Sequence, residues 1–295
     1  MILQKITCKE KEKIEYLRKV YGHELAVHAF SSLYLWQEQL GLSLYMGERM
    51  YCVKSVWHGS NAWYFPCGEE SEVRNFINAH RREKKFKLVC LRRKDVLWMQ
   101  KKYPDEWNYI PDEMEDEYIY SIREHLELKG KAYANMRTQV HRVEREYKSE
   151  THAIDSLNEE DAVSIIRKWR RRKGQLLEGF LSDDQVNENL IRMRRELSGE
   201  GVIVYLDGRP VSVVAGVPLS KDTFDIIVAK STENLQGVSY YAKREFMKKI
   251  QDRFQYINLE DDMGIPGLRK MKKAMRPVRK NRLWEAKIAT KQRSF

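Results

Sequence analysis

Three consecutive carboxylates, Glu260, Asp261 and Asp262, lie between an apolar run at Tyr256–Leu259 and a helix-forming stretch from Pro266. Acyl transfer to an amine or hydroxyl requires a base for the acceptor proton, ideally with a pKa near the working pH. It also requires donors that stabilise a tetrahedral oxyanion. Glu260 is the first choice for the base and Asp262 the alternative, since neighbouring carboxylates push one pKa upward. The same residues admit a structural reading, in which Asp262 caps the Pro266 helix and Glu260 pairs with Arg269. Asn258 either orients a substrate carbonyl or satisfies a backbone group at the strand end.

Downstream, Arg269, Lys270, Lys272, Lys273, Arg276, Arg279, Lys280 and Arg282 follow one another with no acidic residue between them. Such clusters attract phosphate-rich partners, and the attraction weakens with salt. Helical spacing puts Arg269 and Lys273 on one face, and with Lys272 they are candidates to neutralise an RNA or pantetheine diphosphate backbone. In Asn234-Leu235-Gln236-Gly237-Val238-Ser239, Gln236 and Gly237 sit where backbone amides at a helix start could receive phosphate. A plain helix-start glycine fits that position equally well. Lys129, Lys131, Arg137 and Arg142, on or before a basic helix over 131–147, are candidates for binding a charged acceptor or a tRNA end; the alternative is a solvated basic face. Arg167 to Lys173 form a further cluster around Trp169.

No metal site is expected. His23 and His28 are five residues apart, which on a helix turns their rings about 140° away from each other. Cys8, Cys52, Cys67 and Cys90 contain no CxxC pair and read as reduced packing thiols. No permanently bound cofactor is expected either.

The elements that must position these residues need real cores, and the composition supplies them. Of 295 residues 42% are hydrophobic, with 16 Tyr, 9 Phe and 7 Trp, which excludes wholesale disorder. The 54 basic and 43 acidic residues leave a net charge of +11. No apolar run approaches the ~18–20 residues that span a bilayer, and the charged start lacks a signal-peptide pattern, so a cytoplasmic protein is expected, with a peripheral place at the inner membrane face as the alternative. DNA binding has only charge in its favour, because no helix-turn-helix or zinc-finger spacing occurs. The first third predicts helices at Glu10–Val20, Ser31–Leu40 and Glu69–Arg82. It also predicts strands at Tyr51–Trp57, Ala62–Phe65 and Lys87–Leu91, then a helix from Arg93. A polar stretch from Pro104 to Glu117 predicts a boundary between domains 1–117 and 118–295. Beyond it, helices at 158–172 and 183–197 precede strands at 201–206, 210–217 and 223–229, with a hairpin at Asp207-Gly208. A helix over 236–252, a strand at 256–259, a helix over 266–275 and a strand at 284–288 complete the chain.

That order resembles the GNAT acyltransferase fold. The run from Asn258 through Gly264 to Lys272, followed by Pro277, resembles a bacterial family related to the catalytic, C-terminal domain of phosphatidylglycerol lysyltransferase. So do Leu128-Lys129-Gly130-Lys131 with Arg137 and Arg142, Asp222-Thr223-Phe224, and Gly237 with Glu245-Phe246. Phe30 to Trp36 and Tyr64-Phe65-Pro66 extend the resemblance to the first half. It implies an α+β protein with tandem GNAT-like mixed sheets, the first half degenerate and the second carrying the site. It also implies transfer of an aminoacyl group from aminoacyl-tRNA to an anionic lipid or cell-wall peptide, with acyl-CoA as the alternative donor and a non-catalytic binding module as the alternative role. Four positions depart from the family pattern: Ala274 and Met275 stand where a serine and an aromatic residue are expected, and Thr138 and Lys243 where asparagine is common.

Overall fold

A computed structural model describes residues 2–173, 183–232 and 235–289. Asn234 of the proposed phosphate loop lies outside the described residues. The chain divides into two compact units, one formed by residues 1–117, 261–268 and 280–295, the other by 118–260 and 269–279.

The first unit contains α1 (Lys11–Val20), α2 (Phe30–Leu40), β1 (Leu42–Met46), β2 (Met50–Ser55), β3 (Ala62–Tyr64), β4 (Cys67–Gly68), α3 (Glu70–His80), β5 (Lys87–Leu91), α4 (Arg93–Lys102) and β6 (Trp107–Pro111). Gly41 ends α2 at φ 56°, the left-handed conformation that a helix C-terminus commonly requires. The mixed sheet runs β1-β2-β3-β5-β14-β6, with β4 paired to β2. Its strand β14 (Trp284–Ile288) arrives from the end of the chain and pairs antiparallel with both β5 and β6. Trp63, Phe76, Phe86 and Trp107 anchor the core.

The second unit is built on β7 (Glu117–Ser121), α5 (Ile122–Glu127), α6 (Ala134–Glu146), β8 (Ser149–Ala153), α7 (Glu159–Lys173), α8 (Asp184–Arg192), β9 (Glu200–Leu206), β10 (Arg209–Pro218), β11 (Thr223–Ser231), α9 (Val238–Ile250) and β12 (Tyr256–Asn258). After these come α10 (Pro266–Ala274) and β13 (Arg279–Asn281). The sheet order is β13-β7-β12-β11-β10-β9-β8. Asp207 and Gly208 both take positive φ, 50° and 76°, as a two-residue hairpin turn demands. Val211 to Val217 are buried without alternation, the mark of a strand covered on both faces. The helices α7 and α9 both pack on β10. Phe224, Phe246 and Phe254 meet edge to face at 5.2 and 5.3 Å in the core.

Local pattern predicts β5, the start of α4 and β14 at their observed bounds, but it cannot say which sheet a strand joins. The polar stretch expected to separate domains holds β6, whose Trp107 and Tyr109 face the core while Asn108 between them is exposed. Two inward side chains are too few to stand out among prolines and acids. Strand β7 is also unpredicted, although Tyr118, Ile119 and Tyr120 are buried.

Candidate active site

The parallel ladder between β11 and β12 is only three residues long, pairing Thr223 with Tyr256, Phe224 with Ile257 and Asp225 with Asn258. β11 then continues to Ser231 while β12 stops, so the two strands part company. Asp225 and Asn258 are both completely buried at that point. Opposite them β10 carries Gly216, where a Cβ would stand 1.7 Å from the Asp225 carbonyl oxygen. The register between β10 and β11 slips there, so Ile227 bulges out of the ladder. Bulges of this kind re-aim side chains and amides and cluster near active sites.

The chain leaving β12 is tightly fixed. Asn258 Oδ1 accepts the Glu260 N–H at 2.7 Å, and Glu260 adopts φ 57°. Asn258 therefore performs the backbone-satisfying role foreseen for it. Lys272 of α10 is 5% exposed, donates from Nζ to the Leu259 carbonyl at 2.6 Å and lies 5.6 Å from the Tyr118 ring. Its own carbonyl accepts from Tyr120 Oη at 3.0 Å. Thus Asn258, Glu260 and Lys272 come together, whereas Lys273 lies exposed on the same helix and Arg269 is half-buried. Asp262 is grouped with the first unit, where its buried Oδ1 accepts the Gly264 N–H at 3.0 Å. Its carbonyl accepts from Ile265 at 2.8 Å. Those contacts shape the turn ahead of α10, which is a role different from the helix cap stated as its structural alternative.

Several of the remaining candidates make local contacts. Gly237 caps α9 at φ 93°, and a Cβ there would stand 2.2 Å from the Gln139 carbonyl oxygen. Close approach to α6 accounts for this glycine without any phosphate. The Gln236 carboxamide accepts from Arg142. Arg137 donates to the Leu128 carbonyl at 2.5 Å and the Gly130 carbonyl at 3.3 Å, bracing the left-handed turn at Leu128. Lys129 pairs with Glu127 at 3.1 Å, and Lys131 is exposed. Thr138 Oγ1 donates to the Ala134 carbonyl, and the Met275 side chain belongs to the core while its carbonyl meets His125 Nε2.

Lys243 carries more weight than its sequence standing suggests. It is 4% exposed on α9, and Nζ donates to Ser239 Oγ at 2.6 Å and to the Ser239 carbonyl at 3.2 Å. Burial, reinforced by the Lys272 and Lys230 ammonium groups, lowers its pKa to about 8. Lys230 in turn pairs with Asp183 at 2.6 Å and lies 3.7 Å from the Trp169 ring centre. A lysine on the Ala242-Phe246-Ile250 stripe of an amphipathic helix was the available signal.

Within the first unit a cleft of about 630 Å³ is lined by Arg92, Arg93, Lys94, Lys280, Arg282 and Trp284, together with Glu24. Arg92 is tied to Asp95 and to the Gly22 carbonyl, which fixes its guanidinium in place. Residues distant in sequence form this cationic wall, so no single run announced all of it. His23 and His28 also depart from expectation: a turn and a short 3-10 segment replace the assumed helix, and their ring centres lie 3.8 Å apart with the planes tilted by 31°. Burial pushes both imidazoles down, His28 to about 3.

No helix among the described residues is long and apolar enough to cross a membrane. A comparison with curated protein sequences finds no match. Among solved structures, a conserved protein of unknown function from Bacteroides thetaiotaomicron is 22% identical, with a TM-score of 0.89 over 98% of this chain and 100% of the other. L-PGS from Bacillus licheniformis is 13% identical, with a TM-score of 0.67 over 99% and 95% of the two chains. FemX is 11% identical, with a TM-score of 0.63 over 98% of each. These likenesses establish the fold, the α+β GNAT-like class expected from the element order, in the tandem form that the family resemblance implied. The family model of phosphatidylglycerol lysyltransferase, C-terminal, matches residues 18–286, and the chain belongs to that transferase family.

Proposed function

We propose that this protein is an aminoacyltransferase that moves an aminoacyl group from aminoacyl-tRNA to an amine or hydroxyl of a lipid or peptide. The observation that carries the reading is the buried polar group of Asp225, Asn258 and Lys272 where β12 stops and β11 runs on. In the reaction the acceptor lone pair attacks the ester carbonyl of the donor. The bond to the terminal ribose oxygen then breaks, and that oxygen receives the acceptor's proton. Glu260 relays this proton, and the Lys272 ammonium offsets charge developing on the carbonyl oxygen.

Two features favour aminoacyl-tRNA over acyl-CoA. Packing against α6 explains Gly237, so the helix start offers no independent sign of a pyrophosphate cradle. The net charge of +11 and the cationic cleft of the first unit suit a polyphosphate far longer than a coenzyme. Lys273 and Arg269 are assigned to donor phosphate, Lys129 and Lys131 to an anionic acceptor.

Charged tRNA and acetyl-CoA titrated separately at several salt concentrations test the donor. Aminoacyl-tRNA is expected to bind with steep salt dependence, and Arg93→Ala or Arg282→Ala each to reduce the logarithmic salt slope by about 1. Salt-insensitive coenzyme binding without tRNA affinity overturns the choice of donor. Binding of either donor with no transfer to lipid or peptide extracts, followed by mass spectrometry, would make the protein a ligand-binding module instead.

A further inference from the structure

The first unit contains a further chemically equipped cluster that the proposed reaction does not use. His58, Cys90 and Glu115 each direct one ligand atom to a common point, and the three atoms lie within 4.8 Å of one another. His58 Nε2 is 2.5 Å from Glu115 Oε1, and Cys90 Sγ is 3.5 Å from Glu115 Oε2.

Backbone geometry brings the thiol there. Leu91 pairs with Trp284 and Leu88 with Ala286, so Val89 and Cys90 together oppose the single residue Glu285. This is a bulge, and Cys90 takes φ 56°, a conformation uncommon for a non-glycine residue inside a strand. Straightening β5 would turn the sulfur away from Glu115.

Ser55 backs the imidazole. Its buried hydroxyl lies 3.3 Å from the Leu40 carbonyl and 2.8 Å from His58 Nδ1. The Cys90 thiol faces Glu115 Oε2, and a metal ion in place of the thiol proton would draw one electron pair from each of the three side chains.

We propose that His58, Cys90 and Glu115 bind a borderline divalent transition metal, Zn²⁺ in the first instance. One imidazole nitrogen, one thiolate and one carboxylate form a donor set typical of zinc, and three protein ligands leave a fourth position for water or substrate. The side chains of His58 and Glu115 are 9% and 22% exposed, so solvent reaches that position. Ser55 acts as a positioning residue that fixes the ring, as partners behind metal-bound histidines do. Binding releases the thiol proton to solvent and changes no oxidation state.

The test uses the full chain, stripped with chelator, reloaded with Zn²⁺ and dialysed. Elemental analysis is expected to find about one zinc per chain. Replacement by Co²⁺ is expected to give tetrahedral visible bands and a thiolate-to-cobalt band in the near ultraviolet. Cys90→Ser should abolish the thiolate band and His58→Gln weaken Zn²⁺ binding. Ser55→Ala should keep the band while weakening binding about tenfold. A reloaded wild-type chain that retains no zinc, or a cobalt spectrum without the thiolate band, overturns the proposal. The wild-type spectrum decides the matter even if a variant fails to fold.

Discussion

The two units solve one geometric problem with different side chains. Each contains a parallel ladder of three residue pairs whose strands are joined through a helix, β3 with β5 through α3 and β11 with β12 through α9. At the third rung the first unit places Tyr64 against Val89, and the second places Asp225 against Asn258. Shortly beyond it each chain passes through a left-handed residue, Cys90 at φ 56° and Glu260 at φ 57°. In the first unit β5 runs on after the bulge and is paired again by β14. In the second β12 ends, and a buried lysine closes on the Leu259 carbonyl. A shared strand–helix–strand frame is therefore no guide to chemistry by itself. The polarity of the third rung, and whether the next strand continues, decide whether a buried polar site results.

The sharpest way to break this comparison is Glu260→Gln, which keeps shape and the Asn258 contact but removes the proton acceptor. Turnover is expected to fall 10²–10⁴-fold in a transfer assay with the circular dichroism spectrum unchanged; unaltered turnover would remove Glu260 from the chemistry. Next in size is Gly237→Ala. A Cβ at φ 93° meeting the Gln139 carbonyl at 2.2 Å should cost about 2–4 kcal/mol, read from urea unfolding. Loss of less than about 0.5 kcal/mol would mean that the start of α9 is not held by α6.

Lys243 gives a smaller effect whose sign is distinctive. Its folded pKa of about 8 lies below the ordinary 10.5, so between those values the unfolded chain binds the extra proton. Unfolding free energy should then rise with pH from about 8 to about 10.5, by about 1–3 kcal/mol from this residue. Lys243→Met should flatten that rise relative to the wild type and raise stability at neutral pH. A parallel pair of pH profiles would show that Lys243 is solvated after all. The smallest effect belongs to the first unit: Tyr64→Phe is expected to leave turnover within about twofold and stability within about 1.5 kcal/mol. A larger loss of turnover would give the apolar rung a part in catalysis.

Much of this frame could be read from residue order, because the strands of the second unit are long, β-branched and bounded by turn residues such as Asp207-Gly208. The neighbourhood of Asn258 and Glu260 was legible for the same reason: polar residues directly after a strand and before a helix have few places to go. What escaped is what depends on pairing between distant segments. Nothing local says that Trp284–Ile288 joins β5 and β6, or that Cys90, in a run reading Leu-Val-Cys-Leu, is turned by a bulge toward His58 and Glu115. Lys243 drew notice only as a departure from a family pattern, since its burial is set by the packing of α9. Arg137 and Arg142 were visible as charges, but whether they met a ligand, a turn carbonyl or a glutamine required the fold.

The placement of β14 also bears on how the protein comes to be made. Strand β6 has no other strand partner among the described residues, and β5 has β14 on one side. On the ribosome both edges must wait until residues 284–288 emerge, after all of the second unit has been synthesised. Vectorial synthesis thus leaves the first-made sheet the last to be completed. Until then its open edges are the part of the nascent chain most exposed to pairing with a neighbour.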